Sequence, residues 1–147
     1  MGQGKTTLCK NLIKSVNPER LNIFDVNGEY EFGNRFTHGD YDQFLKDVKD
    51  QTECVNVFEE ATIFFTTRSN NKALVNILTR KRHMKTSNLL LFHSLRSVPV
   101  YILELTDDVY IFKTNDIEKN VKEKFKEYGG FYEAFLSAKS ANPGVFQ

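Results

Sequence analysis

Gly4-Lys5-Thr6-Thr7 stands directly before a stretch of helical periodicity. A Gly-Lys-Thr at a helix N-terminus is the second half of a phosphate-binding loop. Backbone N–H groups and the helix dipole hold phosphate oxygens, the lysine neutralises the β/γ charge, and the threonine hydroxyl binds Mg²⁺. Gly2 and Gln3 belong to the same loop, so Gly2, Gln3, Gly4, Lys5, Thr6 and Thr7 are the candidate nucleotide-binding residues. The full pattern G-x-x-x-x-G-K-[ST] puts its first glycine two residues before Met1, and the strand expected ahead of the loop is also absent. The expectation is therefore an upstream start, a fragment, or a degenerate loop.

Val55-Asn56-Val57-Phe58-Glu59-Glu60 is an apolar strand ending in two acids, the other half of an ATP-hydrolysing site. There the first acid holds Mg²⁺ and the second polarises the attacking water. The first acid is usually Asp, and Glu59 has a longer reach. The competing reading is a solvated Glu-Glu pair at a helix start, where the dipole favours acids. His93-Ser94 ends another apolar run, either as a polar group facing the γ-phosphate or as an ordinary strand end. Arg80-Lys81-Arg82-His83 with Lys85, flanked by Arg68 and Arg96, is the densest basic stretch. It is a solvated helix face, a DNA-facing surface, or the source of an arginine finger for a neighbouring subunit. No His/Cys group has metal-ligand spacing. Cys9 is expected to be buried rather than nucleophilic, His38 to lie in a loop and His83 at a helix end.

These residues need elements to position them. Leu8, Leu12 and Ile13 give Lys5–Ser15 a helical face that Asn17-Pro18 stops. Leu21–Phe24 predicts a strand closed by Asp25-Val26-Asn27-Gly28. Asp40 starts a helix to Asp50 with Tyr41, Phe44, Leu45 and Val48 on one face. After the Val55–Phe58 strand, Lys72–His83 is helical with Leu74, Ile77 and Leu78 inward. Asn88–Phe92 is a third strand, a short apolar helix follows Pro99, and Val109–Phe112 is a fourth strand. Glu118–Tyr128 and Phe131–Lys139 are helices separated by Gly129-Gly130. Alternating strands and helices predict an α/β fold with a mainly parallel sheet, its site at the carboxyl ends of the strands.

Twenty Lys+Arg against 19 Asp+Glu exclude a strongly basic arm or acidic tail as the functional device. The 147 residues predict a single domain over 1–147, with 116–147 as a C-terminal helical part. The core is Phe-rich, with 13 Phe and 6 Tyr and no Trp. The two cysteines, Cys9 and Cys54, are expected to be free and reduced. No apolar stretch approaches a membrane span and no secretory leader is visible, so a soluble, cytoplasmic protein is expected.

In the order of its pieces the chain resembles the HerA/FtsK branch of P-loop ATPases, particularly the small genome-packaging ATPases of bacterial and archaeal viruses. Gly2-Gln3-Gly4-Lys5-Thr6-Thr7-Leu8 comes first, and Asn22–Tyr30 is similar to that group's second strand and its D-x-x-G-E-Y turn. Val57-Phe58-Glu59-Glu60-Ala61 is similar to its acidic strand end. Arg82-His83, Leu89–Ser94 and Val98-Pro99 look like its basic helix, sensor strand and following loop. The sensor there is commonly Gln and here is His93. The resemblance implies a RecA-like P-loop NTPase core using ATP and Mg²⁺ and assembling into a homo-oligomeric ring that moves DNA. In it Thr6 and Glu59 hold the metal, Glu60 is the base, His93 the sensor, and Arg82 or a neighbouring arginine the finger. A viral capsid or portal component becomes a partner, in the host cytoplasm or the virion. The zonula occludens toxin-like phage assembly ATPases share a similar core but add a membrane segment. The alternatives are a nucleotide-kinase-like phosphotransferase, which would need an acceptor pocket and an Arg-rich lid, and an adaptor without turnover.

Overall fold

The computed structural model describes residues 4–65 and 68–140. They form two compact units, one of Met1–Leu8 with His93–Gln147 and the other of Cys9–Phe92. Helix α1 (Lys5–Ile13) is continuous across the boundary at Leu8. Among the described residues no helix is long and apolar enough to cross a membrane.

The second unit is built on four parallel strands: β1 (Leu21–Phe24), β2 (Asn34–Phe36), β3 (Val55–Phe58) and β4 (Ser87–Leu90), in the order β2-β1-β3-β4. All four residues of β1 are buried, as an inner parallel strand requires. Alternation then sorts side chains between two faces. Leu21, Ile23 and Val57 pack with Cys9 and Ile13 of α1 on one face. The opposite face carries two rows set by the register, one of Asn34, Asn22, Asn56 and Asn88, the next of Phe36, Phe24, Phe58 and Leu90.

The asparagine row is a continuous side-chain ladder. Asn34 Nδ2 donates to Asn22 Oδ1 (3.3 Å), Asn22 Nδ2 to Asn56 Oδ1 (3.0 Å), and Asn56 Nδ2 to Asn88 Oδ1 (3.0 Å). Asn22 also donates to Gln51 Oε1, just past α2 (Tyr41–Asp50). Asn22 and Asn56, the two fully buried amides, are tolerable because the ladder and Gln51 satisfy them, whereas the ladder leaves Asn88 Nδ2 buried without a hydrogen-bond partner among the described residues. Over the phenylalanine row sits Phe44 of α2, fully buried, with ring centroids 5.2 to 5.4 Å from Phe24, Phe36 and Phe58. Phe64, in the 3-10 turn Ala61–Phe65, closes the same cluster 5.8 Å from Phe44.

Strand β2 was not foreseen. Its Asn-Arg-Phe is short and mostly exposed, and it pairs in parallel with β1 after a connection of only residues 25–33. The helix expected over Lys72–His83 is instead α3 (Arg68–Thr79) followed by α4 (Lys81–Met84). The Thr79 hydroxyl donates to the Val75 carbonyl at 2.7 Å, the side-chain competition that loosens a helix there. Leu74, Ile77 and Leu78 are inward as expected. Helix α4 ends at Lys85, which adopts a left-handed conformation (φ 55°, ψ 45°) better suited to glycine. Lys85→Gly is accordingly expected to raise stability by about 1 kcal/mol in urea denaturation.

In the first unit, α5 (Glu118–Lys124) and α6 (Phe131–Ser140) pack through stacked Phe125 and Phe131 rings, centroids 3.9 Å apart. Helix α5 stops short of Tyr128, and Gly130 turns the chain with φ 86°. Val109–Phe112 is not a strand: it has high β propensity but no ladder partner among the described residues. Ile111 and Phe112 are buried as a pair while Val109 and Tyr110 are half exposed, so the strand's alternation is absent. The apolar segment after Pro99 is a 3-10 helix, Val100–Leu105.

Candidate functional site

At the carboxyl end of β1 the chain makes a turn organised by one carboxylate. Asp25 Oδ1 accepts from Glu29 N (2.9 Å) and Oδ2 from Tyr30 N (3.1 Å). Gly28, at φ 65°, allows the reversal. Gly33 (φ 88°) lets the return path pass close to Leu21, whose side chain and carbonyl would lie 3.1 to 3.2 Å from an added Cβ. Arg35 Nη1 donates to the Tyr30 carbonyl at 2.8 Å. Tyr30 is thus gripped through its backbone N–H and its carbonyl. A surface cavity of about 590 Å³ opens beside this turn, lined by Asp25, Gly28 and residues 33–37.

The grip delivers the Tyr30 side chain to the end of β3. Its hydroxyl donates to Glu59 Oε2 at 2.6 Å, and Tyr30 and Glu59 are 1% and 6% exposed. The Cys9 thiol is hydrogen-bonded to the same tyrosine. Burial pushes the Cys9 thiol up to about 11, opposed by its bond to Tyr30, which makes it an inert packing group. Burial, followed by the bonds to Cys9 and Glu59, raises the Tyr30 phenol as well, so it stays protonated as a donor. Lys10 Nζ lies 5.5 Å over the Tyr30 ring.

A solvated pair therefore does not describe Glu59. Glu60, half buried, opens the next turn, where its carbonyl accepts from Ile63 N at 3.3 Å. As β3 turns aside, Ala61 N takes the Leu91 carbonyl (3.1 Å) and closes the β3–β4 ladder. Strand β4 consequently ends at Leu90 rather than Phe92, and His93 is exposed beyond the strand end.

Of the remaining candidates, Gly4 adopts φ 98° and its carbonyl accepts from Leu8 N at 2.9 Å, so the helix begins directly at Lys5. Lys5 and Thr6 are half buried and Thr7 is exposed, while Gly2 and Gln3 lie outside the described residues. Arg82 is exposed on α4. Lys5, Thr6, Thr7 and His93 belong to the first unit, and Glu59, Glu60 and Arg82 to the second.

Sequence reasoning missed the partners of these residues. Tyr30 was legible only as part of a motif, and nothing in its type announced a bond to Glu59. In the first unit Asp116 accepts from Leu95 N (2.9 Å) and Arg96 N (3.2 Å), while Lys124 Nζ donates to the carbonyls of Leu95 (3.1 Å) and Arg96 (2.7 Å). Burial works against the Asp116 carboxylate, but the Thr114 hydroxyl and these amides outweigh it and hold its pKa below the usual value. The backbone at Arg96 is thereby clamped while its side chain is exposed.

Among the described residues no three His, Cys, Asp or Glu side chains gather to hold a metal. A Mg²⁺ bound with nucleotide takes one or two carboxylates and fills its shell with phosphate and water. Glu59, a carboxylate oriented by the Tyr30 hydroxyl, is a donor of the type that suits that chemistry, and so, taken by itself, is the Thr6 hydroxyl at the start of α1. Comparison with family models, curated proteins and solved structures returns no match.

Proposed function

We propose that the chain is an ATP-hydrolysing, DNA-translocating motor with a RecA-like core, of the genome-packaging kind it resembles. The observation that carries the reading is the buried Glu59 at the carboxyl end of a parallel strand, held by a tyrosine of the Asp25–Tyr30 turn. A parallel sheet collects its chemistry at that edge, and a buried oriented carboxylate next to a second acid suits water as the acceptor of a phosphoryl group.

In this reading Lys5 neutralises phosphate charge from the start of α1, and the α1 dipole adds to it. Thr6 and Glu59 supply oxygen ligands to Mg²⁺. The metal's chemistry, when bound, is to neutralise charge developing on the phosphate oxygens. Glu60 accepts the proton of the attacking water, and His93 hydrogen-bonds to phosphate. An arginine from the Arg80–Lys85 stretch, Arg82 first among them, completes the site of the next subunit in a homo-oligomeric ring. With lysine and arginine balanced by acids, grip on DNA comes from basic residues repeated around the ring. A capsid or portal component is the partner implied by packaging.

Product analysis with ATP, Mg²⁺ and duplex DNA tests the reading. Free phosphate, released faster with DNA, is expected. A phosphorylated nucleotide would transfer the chain to the nucleotide-kinase-like class, and absence of ATP binding would make it an adaptor. Lys5→Ala is expected to weaken ATP binding roughly tenfold or more, the loss of one charge-assisted contact, in a fluorescent-nucleotide titration.

A further inference from the structure

We infer that Tyr30 is a positioning residue for Glu59, fixing that carboxylate in the orientation from which it holds the metal. The inference rests on the nucleotide-hydrolysis reading and adds to it a residue with no direct part in the chemistry. Glu59 stands where a shorter acid is usual, and the extra methylene gives its carboxylate one more torsion to wander through. A carboxylate with that freedom makes a poor ligand for a cation that demands near-ideal octahedral geometry.

The structure removes the freedom. The Tyr30 hydroxyl donates to Oε2 at 2.6 Å, which ties down one carboxylate oxygen and restrains the swing of the other. The tyrosine is itself over-determined. Asp25 holds its N–H and Arg35 its carbonyl. Cys9 meets its hydroxyl, Lys10 covers its ring, and Ile13, Leu21, Ile23 and Val57 share its apolar cluster. Cys9 and Lys10 lie little more than one helical turn past Lys5 in α1. The tyrosine is therefore held by the helix that opens with the phosphate-binding residues and by the turn that follows β1. A side chain so fixed from both directions acts on the metal through Glu59, as groups behind metal ligands do.

Tyr30→Phe keeps the ring and removes only the hydroxyl. The measurement is Mn²⁺ binding, followed by electron paramagnetic resonance, to the full chain loaded with ADP. Tyr30→Phe is expected to weaken Mn²⁺ roughly tenfold or more, the usual cost of losing a group behind a ligand, with metal-free ADP affinity unchanged. Because Tyr30 acts through Glu59, adding Tyr30→Phe to Glu59→Gln is expected to cause no further loss. In hydrolysis the variant should lower kcat and leave KM for ATP unaltered.

Equal Mn²⁺ affinity in wild type and Tyr30→Phe, with a wild type that binds Mn²⁺ and ADP together, overturns the positioning role and leaves the hydrolase reading standing. A further loss on top of Glu59→Gln overturns it too. A wild type that binds no Mn²⁺ with ADP overturns both. If circular dichroism shows Tyr30→Phe unfolded, Arg35→Ala is read in the same assay. It frees the Tyr30 carbonyl and leaves the hydroxyl in place, so weaker Mn²⁺ binding supports the role and unchanged binding overturns it.

Discussion

Glu60→Gln is expected to retain ATP and to lower the rate of phosphate release roughly 10²- to 10⁴-fold, the contribution of a positioned general base. The amide is the same size as the acid, so packing of this half-buried side chain is kept. The backbone is held independently, because the Glu60 carbonyl accepts from Ile63 N whichever side chain is present. What is lost is the ability to take a proton from water. Nucleotide affinity then separates Glu60 from Lys5, whose removal is expected to act on binding itself. Single-turnover release of free phosphate is the measurement, and an unchanged rate in Glu60→Gln removes it as the base.

Phe44→Ala is expected to cost about 3–5 kcal/mol of stability. Phe44 has no exposed surface and its ring meets Phe24, Phe36, Phe58 and Phe64 at centroid distances of 5.2 to 5.8 Å. Three of those rings are anchored on strands and cannot close over the space left behind. Domains of this size are stable by only about 5–15 kcal/mol, so the variant should unfold at a much lower urea concentration. Far-UV circular dichroism is the suitable probe, since the chain has no Trp. A loss below about 1 kcal/mol would mean that the aromatic cluster relaxes, against its close packing.

Much of the sheet was legible because its inner strands are short apolar runs bounded by turn residues. Leu21–Phe24 and Val55–Phe58 have the predicted bounds. Strand β2 escaped because Asn34-Arg35-Phe36 offers no apolar run. A signal was nevertheless present: Asn-x-Phe occurs at 22–24, 34–36 and 56–58, with Asn-x-Leu at 88–90. That recurrence gains meaning only once the strands are seen to be parallel and in register. Val109–Phe112 shows the opposite error, since propensity alone does not make a strand without a neighbour. At the site, the acids and the Asp25–Tyr30 turn could be picked out by residue type and order. The bond from Tyr30 to Glu59 could not, because it depends on how a turn after β1 folds back beside the end of β3. Asp116 and Lys124 were equally hidden, each being an ordinary charged residue until it meets the backbone at Leu95 and Arg96.

The asparagine ladder also bears on how the sheet comes together in time. Its bonds join residues 12, 34 and 32 positions apart, so none forms before substantial lengths of chain have closed. Until their neighbours arrive, the buried Asn22 and Asn56 are amides short of a partner, at a penalty of about 1–3 kcal/mol each. A slip of one residue sends the whole row to the opposite face, and a slip of two sets Asn22 against Phe58 in one direction or Phe24 against Asn56 in the other. Partly paired and misaligned sheets are therefore poor resting places. Strands β1 to β4 are driven to arrive as one cooperative event, its barrier dominated by long-range closure rather than by local helix formation.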